Sequence, residues 1–141
     1  MPDRFLFDSS ALITLIEDEV GADRVETVMR EHACAIPWLA LLEVSYVTRQ
    51  EQGQLEAERR LALLESLPAE VLWQADNALL RAAAGFKARF RLSFADAVIA
   101  GFAQTRKAVL LHKDPEFEAL EGRVQLENLP YKFPGDRLHR R

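Results

Sequence analysis

The segment Arg4-Phe5-Leu6-Phe7-Asp8-Ser9-Ser10-Ala11-Leu12-Ile13 changes its period at one residue. Arg4 to Phe7 reads as a short apolar strand, and Ser9-Ser10 open a helix reaching about Glu17. Asp8 stands at the junction. Downstream the same switch recurs. Gly21 begins a helical stretch to about His32, and Ala33-Cys34-Ala35-Ile36 is a buried-strand candidate. Pro37 sits where a first helical position prefers it, and the helix it opens runs to about Gln52, with Gly53 as its stop. A helix from about Gln54 to Leu67 is closed by Pro68, and Glu70-Val71-Leu72-Trp73 reads as a strand. A helix from about Asn77 to Phe90 follows. Ser93-Phe94-Ala95-Asp96 matches a capping box with Asp in place of Glu, beginning an apolar helix to about Thr105. Ala108 to Leu111 is a strong strand, Asp114-Pro115 turns into a short helix ending near Gly122, and Val124-Gln125-Leu126 is the fifth strand candidate. Strands alternating with helices give an α/β fold with a mostly parallel sheet covered on both faces. Ligands of such sheets lie at the carboxyl ends of the strands, near a topological switch point. Asp8 and Asp114 both fall just beyond strand ends.

The 141 residues suit one domain, and 49% apolar content supplies a core. The longest uncharged run, His32 to Leu42, is far short of the roughly 20 residues of a spanning helix. With no secretory leader pattern and a single cysteine, Cys34, the expected setting is the cytoplasm, with no membrane contact. The net charge of −4 is unevenly spread. Residues 1–80 carry 6 basic and 15 acidic side chains, whereas residues 81–107 carry 6 basic and 1 acidic. Arg81, Lys87, Arg89 and Arg91 in that second segment are candidates for holding a polyanion, or form a solvated helix face.

Two further acids sit in apolar surroundings. Glu43 interrupts Ile36-Pro37-Trp38-Leu39-Ala40-Leu41-Leu42-Glu43-Val44-Ser45-Tyr46-Val47, a helix apolar enough to be largely buried. Asp96 interrupts Phe94-Ala95-Asp96-Ala97-Val98-Ile99-Ala100-Gly101-Phe102-Ala103. A buried carboxylate needs a cation, a hydrogen-bond network or a raised pKa. Each acid also has an ordinary explanation: Asp8 as an N-cap, Glu43 reaching solvent, Asp96 as a first-turn acid, Asp114 as a turn residue. Together they sit where a parallel α/β sheet can gather them. Several carboxylates in one pocket require a counter-charge, and oxygen-only ligation suits Mg²⁺ or Mn²⁺ acting on a phosphodiester.

In order and context, Phe7-Asp8-Ser9-Ser10-Ala11-Leu12-Ile13, Leu42-Glu43-Val44, Ser93-Phe94-Ala95-Asp96-Ala97 and Asp114-Pro115-Glu116-Phe117 resemble the PIN-domain ribonucleases, and within them the VapC toxins of toxin–antitoxin pairs. The likeness spans about Arg4 to Leu129. It implies a three-layer fold with a central, mostly parallel sheet of about five strands flanked by helices. It implies a Mg²⁺- or Mn²⁺-dependent endoribonuclease, with Asp8, Glu43, Asp96 and Asp114 as catalytic, metal-binding acids. By the same carry-over Ser9, Ser10 and Glu116 support the site, and the partners are RNA, a cognate antitoxin and a second copy of the chain. His112 stands where the family commonly has Thr or Ser. It is read as a structural or phosphate-contacting group, and Lys113 as an RNA contact or a solvated loop lysine. Residues 1–130 are expected to form the nuclease domain, and 131–141 a basic tail.

Other chemistries lack their residues. No Gly-x-x-x-x-Gly-Lys, Gly-x-Gly or Gly-x-Ser-x-Gly occurs, and Ser10 stands where an aspartyl phosphatase would place its second Asp. The rival readings are a catalytically silent PIN-like module that binds RNA or protein, a nuclease acting on DNA, and a hydrolase of small phosphate esters. A deep pocket rather than an open basic groove would support the last.

Overall fold

The computed structural model describes residues 4–132. In chain order the elements are β1 (Arg4–Phe7), α1 (Ser9–Ile16), α2 (Ala22–Glu31), β2 (Ala33–Pro37), α3 (Trp38–Gln52), α4 (Gln54–Glu65), β3 (Glu70–Leu72), α5 (Asn77–Arg89), α6 (Phe94–Arg106), β4 (Val109–His112), a 3₁₀ helix (Pro115–Leu120) and β5 (Leu126–Asn128). The strands form one sheet in the order β3-β2-β1-β4-β5, and every pairing is parallel. β1 is central, with Phe5, Leu6 and Phe7 opposite Val109, Leu110 and Leu111 of β4. The chain moves outward from β1 through β2 to β3, then crosses to β4 on the other side. The switch point therefore lies between the carboxyl ends of β1 and β4, where Asp8 and Asp114 follow their strands.

The core is the material the apolar runs supply. Phe5, Leu6 and Phe7 of β1 are buried, as is every residue of β4. A strand covered on both faces can be apolar throughout. The helices flank the sheet, α1 packing on α2 and α3, α3 on α4 and α6, and α5 on α6. The last pair is close. A Cβ at Gly101 would meet Leu79 Cδ1 at 3.1 Å and the Ala83 backbone nitrogen at 3.2 Å. No described helix is long and apolar enough to cross a membrane.

Three local expectations need correction. Pro37 ends β2 and caps α3 in extended backbone (φ −69°, ψ 141°) rather than opening the helix, because it still pairs with Leu72. β5 begins two residues later than the apolar run suggested. The turn through Gly122 (φ +87°) spends those residues, and Val124 is buried beside it. α3 is not buried all round: Ala40, Leu41, Val44, Val47 and Thr48 face inward, while Leu42 and Tyr46 are exposed. Cys34 is buried, and burial pushes its thiol up to about 11, so it is a core residue.

Candidate active site

Asp8 follows β1 and caps α1, its Oδ1 accepting the Ala11 amide at 2.9 Å. The Ser10 hydroxyl lies 2.7 Å from each Asp8 carboxylate oxygen and accepts the Lys113 amide at 2.7 Å. That chain of contacts joins the start of α1 to the end of β4. The Ser9 hydroxyl donates to Glu43 Oε1 at 2.7 Å, tying α1 to the half-buried acid of α3. Asp96 lies in the first turn of α6, where Ser93 Oγ accepts its amide at 3.1 Å. Asp114 caps the 3₁₀ helix, its Oδ1 accepting the Glu116 amide at 3.0 Å.

These acids converge. One carboxylate oxygen each from Asp96, Asp114 and Glu116 lie within 4.8 Å of one another. Glu116, expected either behind the metal-binding acids or at a second metal, is a member of this triad. Asp8 and Glu43 fall outside that span but press on it electrostatically. Burial, then the negative charges of Asp8, Asp114, Glu43 and Glu116, push the Asp96 carboxyl up to about 8. The Asp96 carboxylate is buried, and among the described residues no donor bonds it.

An orphaned, buried carboxylate amid four others is a donor set without its acceptor. Hard oxygen ligands at this spacing fit a divalent cation of the Mg²⁺ type.

His112 and Lys113 both turn inward. His112 is buried, its Nδ1 accepts the Asp114 amide at 3.1 Å, and its ring meets Phe117 edge-on at 5.2 Å. Burial lowers its pKa to about 4, so a neutral imidazole props the Asp114 turn instead of presenting charge to a phosphate. The Lys113 ammonium, also buried, donates to the Val20 carbonyl at 2.7 Å and pairs with Glu19 at 3.4 Å. Lys132 pairs with the same Glu19, and the Tyr131 hydroxyl donates to Glu118 at 2.7 Å. The first two residues of the expected tail therefore lie against the domain, and residues 133–141 lie outside the described residues. Glu19 was invisible as a hub, since its two lysine partners are about a hundred positions away.

The cations of the basic segment divide. Arg89 and Arg91 are exposed around the loop that leads into α6. Lys87 spends its ammonium on the Leu92 carbonyl at 2.8 Å, fixing that loop. Arg81 bonds Asn77 at 2.7 Å and stands about 12 Å along α5 from Arg89 by helical rise. A cavity of about 610 Å³ is lined by His112, Glu118, Arg123, Asn128 and Tyr131 among others, but by none of the clustered acids. The acids are not gathered at the base of that pocket.

Residues 5–123 match the PIN domain family. The chain belongs to it. No curated protein matches by sequence. Among solved structures, this PIN domain is similar to a chain of VapBC2 from Rickettsia felis bound to a promoter DNA fragment. The TM-score is 0.75 and the identity 15%, covering 90% of this chain and 99% of that one. A DNA-bound VapBC chain from Salmonella typhimurium gives 0.70 and 24%, covering 89% and 97%. VapC20 of Mycobacterium tuberculosis, a sarcin-ricin loop cleaving toxin, gives 0.67 and 15%, covering 83% and 95%. At these identities the likeness establishes the fold; the acids place the candidate chemistry on it.

Proposed function

We propose that this PIN domain is a divalent-metal-dependent endoribonuclease and the toxin of a toxin–antitoxin pair. The observation that carries the reading is the buried, donorless Asp96 carboxylate facing Asp114, Glu116, Asp8 and Glu43 at the switch point. Asp8, Glu43, Asp96 and Asp114 are the acids that would hold Mg²⁺ or Mn²⁺, with Glu116 beside them. A bound cation would supply positive charge for a phosphodiester and polarise water for in-line attack.

The chain's own groups prepare that step. Ser10 and the Ala11 amide fix the Asp8 carboxylate, and Ser9 fixes Glu43, so both acids are aimed before a ligand arrives. Asp96 must give up its proton when a cation binds, which couples loading of the site to pH. Arg89 and Arg91 stand at the approach to α6, where they can hold flanking phosphates. Family membership and the likeness to VapC20 favour RNA as substrate, and the likeness to VapBC chains favours an antitoxin partner.

The test is incubation of structured RNA with the purified protein in Mn²⁺, in EDTA, and with the Asp8→Asn variant. Cleavage only by the parent protein with metal is expected. Metal binding and RNA binding without cutting under any condition would instead favour the silent binding module.

A further inference from the structure

Phe94 is the first residue of α6, two positions before Asp96, and it is 73% exposed. Among the described phenylalanines it alone stands mostly in water. Its seat is fixed. The Phe90 amide donates to the Phe86 carbonyl at 3.0 Å, the Lys87 ammonium holds the Leu92 carbonyl at 2.8 Å, and Ser93 caps the helix. Cα–Cβ bonds in a helix lean toward its N-terminus, so Phe94 and Asp96 lean toward the same end. Exposed Leu42 and Tyr46 bracket Glu43 on α3, which packs against α6. Exposed Arg89 and Arg91 precede Phe94 in the same loop region.

An exposed ring two positions along the helix from one of the clustered acids, with guanidinium groups close by in the chain, offers two kinds of affinity near the helix start. The ring favours a flat apolar face, and the cations favour phosphate. An apolar peptide would use the ring and leave the cations unmatched. An unpaired nucleotide uses both, because its base stacks while its backbone is neutralised. A base inside a duplex has its faces already stacked on its neighbours and cannot take the ring.

We propose that Phe94 is a stacking platform for an unpaired base next to the scissile phosphodiester, making it a positioning residue that selects unpaired RNA. The inference rests on the nuclease reading and adds to it the group that recognises the strand. It is tested by binding of a short mixed-sequence oligoribonucleotide in Mg²⁺, in the Asp96→Asn background so that the RNA stays intact. Phe94→Ala and Phe94→Leu should each weaken binding by about 5- to 100-fold, and Phe94→Trp should restore it. Moving a single abasic nucleotide along the RNA should find one position at which Phe and Ala variants bind alike. In the cutting enzyme, the loss should fall on KM more than on kcat. Equal binding by all four residues, or a Leu variant as good as Trp, overturns the platform. If the protein cuts RNA while Phe94 is indifferent, only this inference fails; if it neither binds nor cuts RNA with metal, the nuclease reading fails with it.

Discussion

The Ser10 hydroxyl lies 2.7 Å from both oxygens of the Asp8 carboxylate, and it is buried. Because the same oxygen accepts the Lys113 amide, one side chain links the two strand ends that flank the switch point. Ser10→Ala leaves that buried amide without its acceptor, at a cost of about 1–3 kcal/mol. Urea unfolding should report the loss. Cleavage should fall as well, since Asp8 then loses one of the groups that orient it, and Ser10→Thr should recover part of both.

Asp96 makes the metal-free protein sensitive to pH. Its carboxyl titrates near about 8 in the fold against an ordinary 3.8, so the folded state holds a proton that the unfolded chain releases. This contribution to stability is full below the unfolded value and is lost as pH rises through the folded one. Thermal melts in EDTA should therefore show Asp96 lowering Tm steadily from pH about 5 to about 8. Asp96→Asn should flatten that slope and stabilise the metal-free protein at pH about 8 by about 1–2 kcal/mol, while abolishing cleavage.

Mg²⁺ should act in the opposite sense. A ligand at about 100 times its Kd stabilises by about 2.7 kcal/mol. Calorimetry in buffers of different ionisation enthalpy should show proton release on binding, with affinity falling as pH drops from about 8. In Asp96→Asn the proton release should vanish. Its persistence would assign the proton to another group.

Gly101 is where α6 meets α5, and a methyl group there would press on the Ala83 backbone nitrogen at 3.2 Å. Gly101→Ala should destabilise by about 1–3 kcal/mol, despite the better helix propensity of alanine. Denaturant unfolding checks this. An unchanged or raised midpoint would mean that the helices separate without cost.

Arg89 and Arg91 should contribute to RNA affinity through charge alone. Reversing both to Glu should weaken binding and flatten its salt dependence, by about 0.7 in log–log slope for each lost phosphate contact. The same reversal at Arg81, about 12 Å along α5 by helical rise, should do less.

Much of the fold was legible because local signals agreed. The apolar runs at β1 and β4, the Ser93 cap and the Gly53 break each placed an element to within a residue or two. β5 slipped because a three-residue strand carries no period of its own, and the turn before it was set by Gly122. The acids were legible as misfits, since an ionisable group in an apolar stretch needs an explanation wherever the chain puts it. Glu116 was harder to read, because on a short surface helix an acidic residue costs nothing and signals nothing.

The order of strand and helix, the apolar core and the positions of the misfit acids were thus determined by the sequence alone, through periodicity and the cost of buried charge. Which acids meet was decided only by tertiary structure. The crossing from β3 over to β4 brings Asp114 and Glu116 to Asp96, residues whose separation along the chain says nothing about distance. The same packing turned His112 and Lys113 inward and left Phe94 outward. Burial is a property of what lies opposite a side chain, and the chain supplies that only once it has folded.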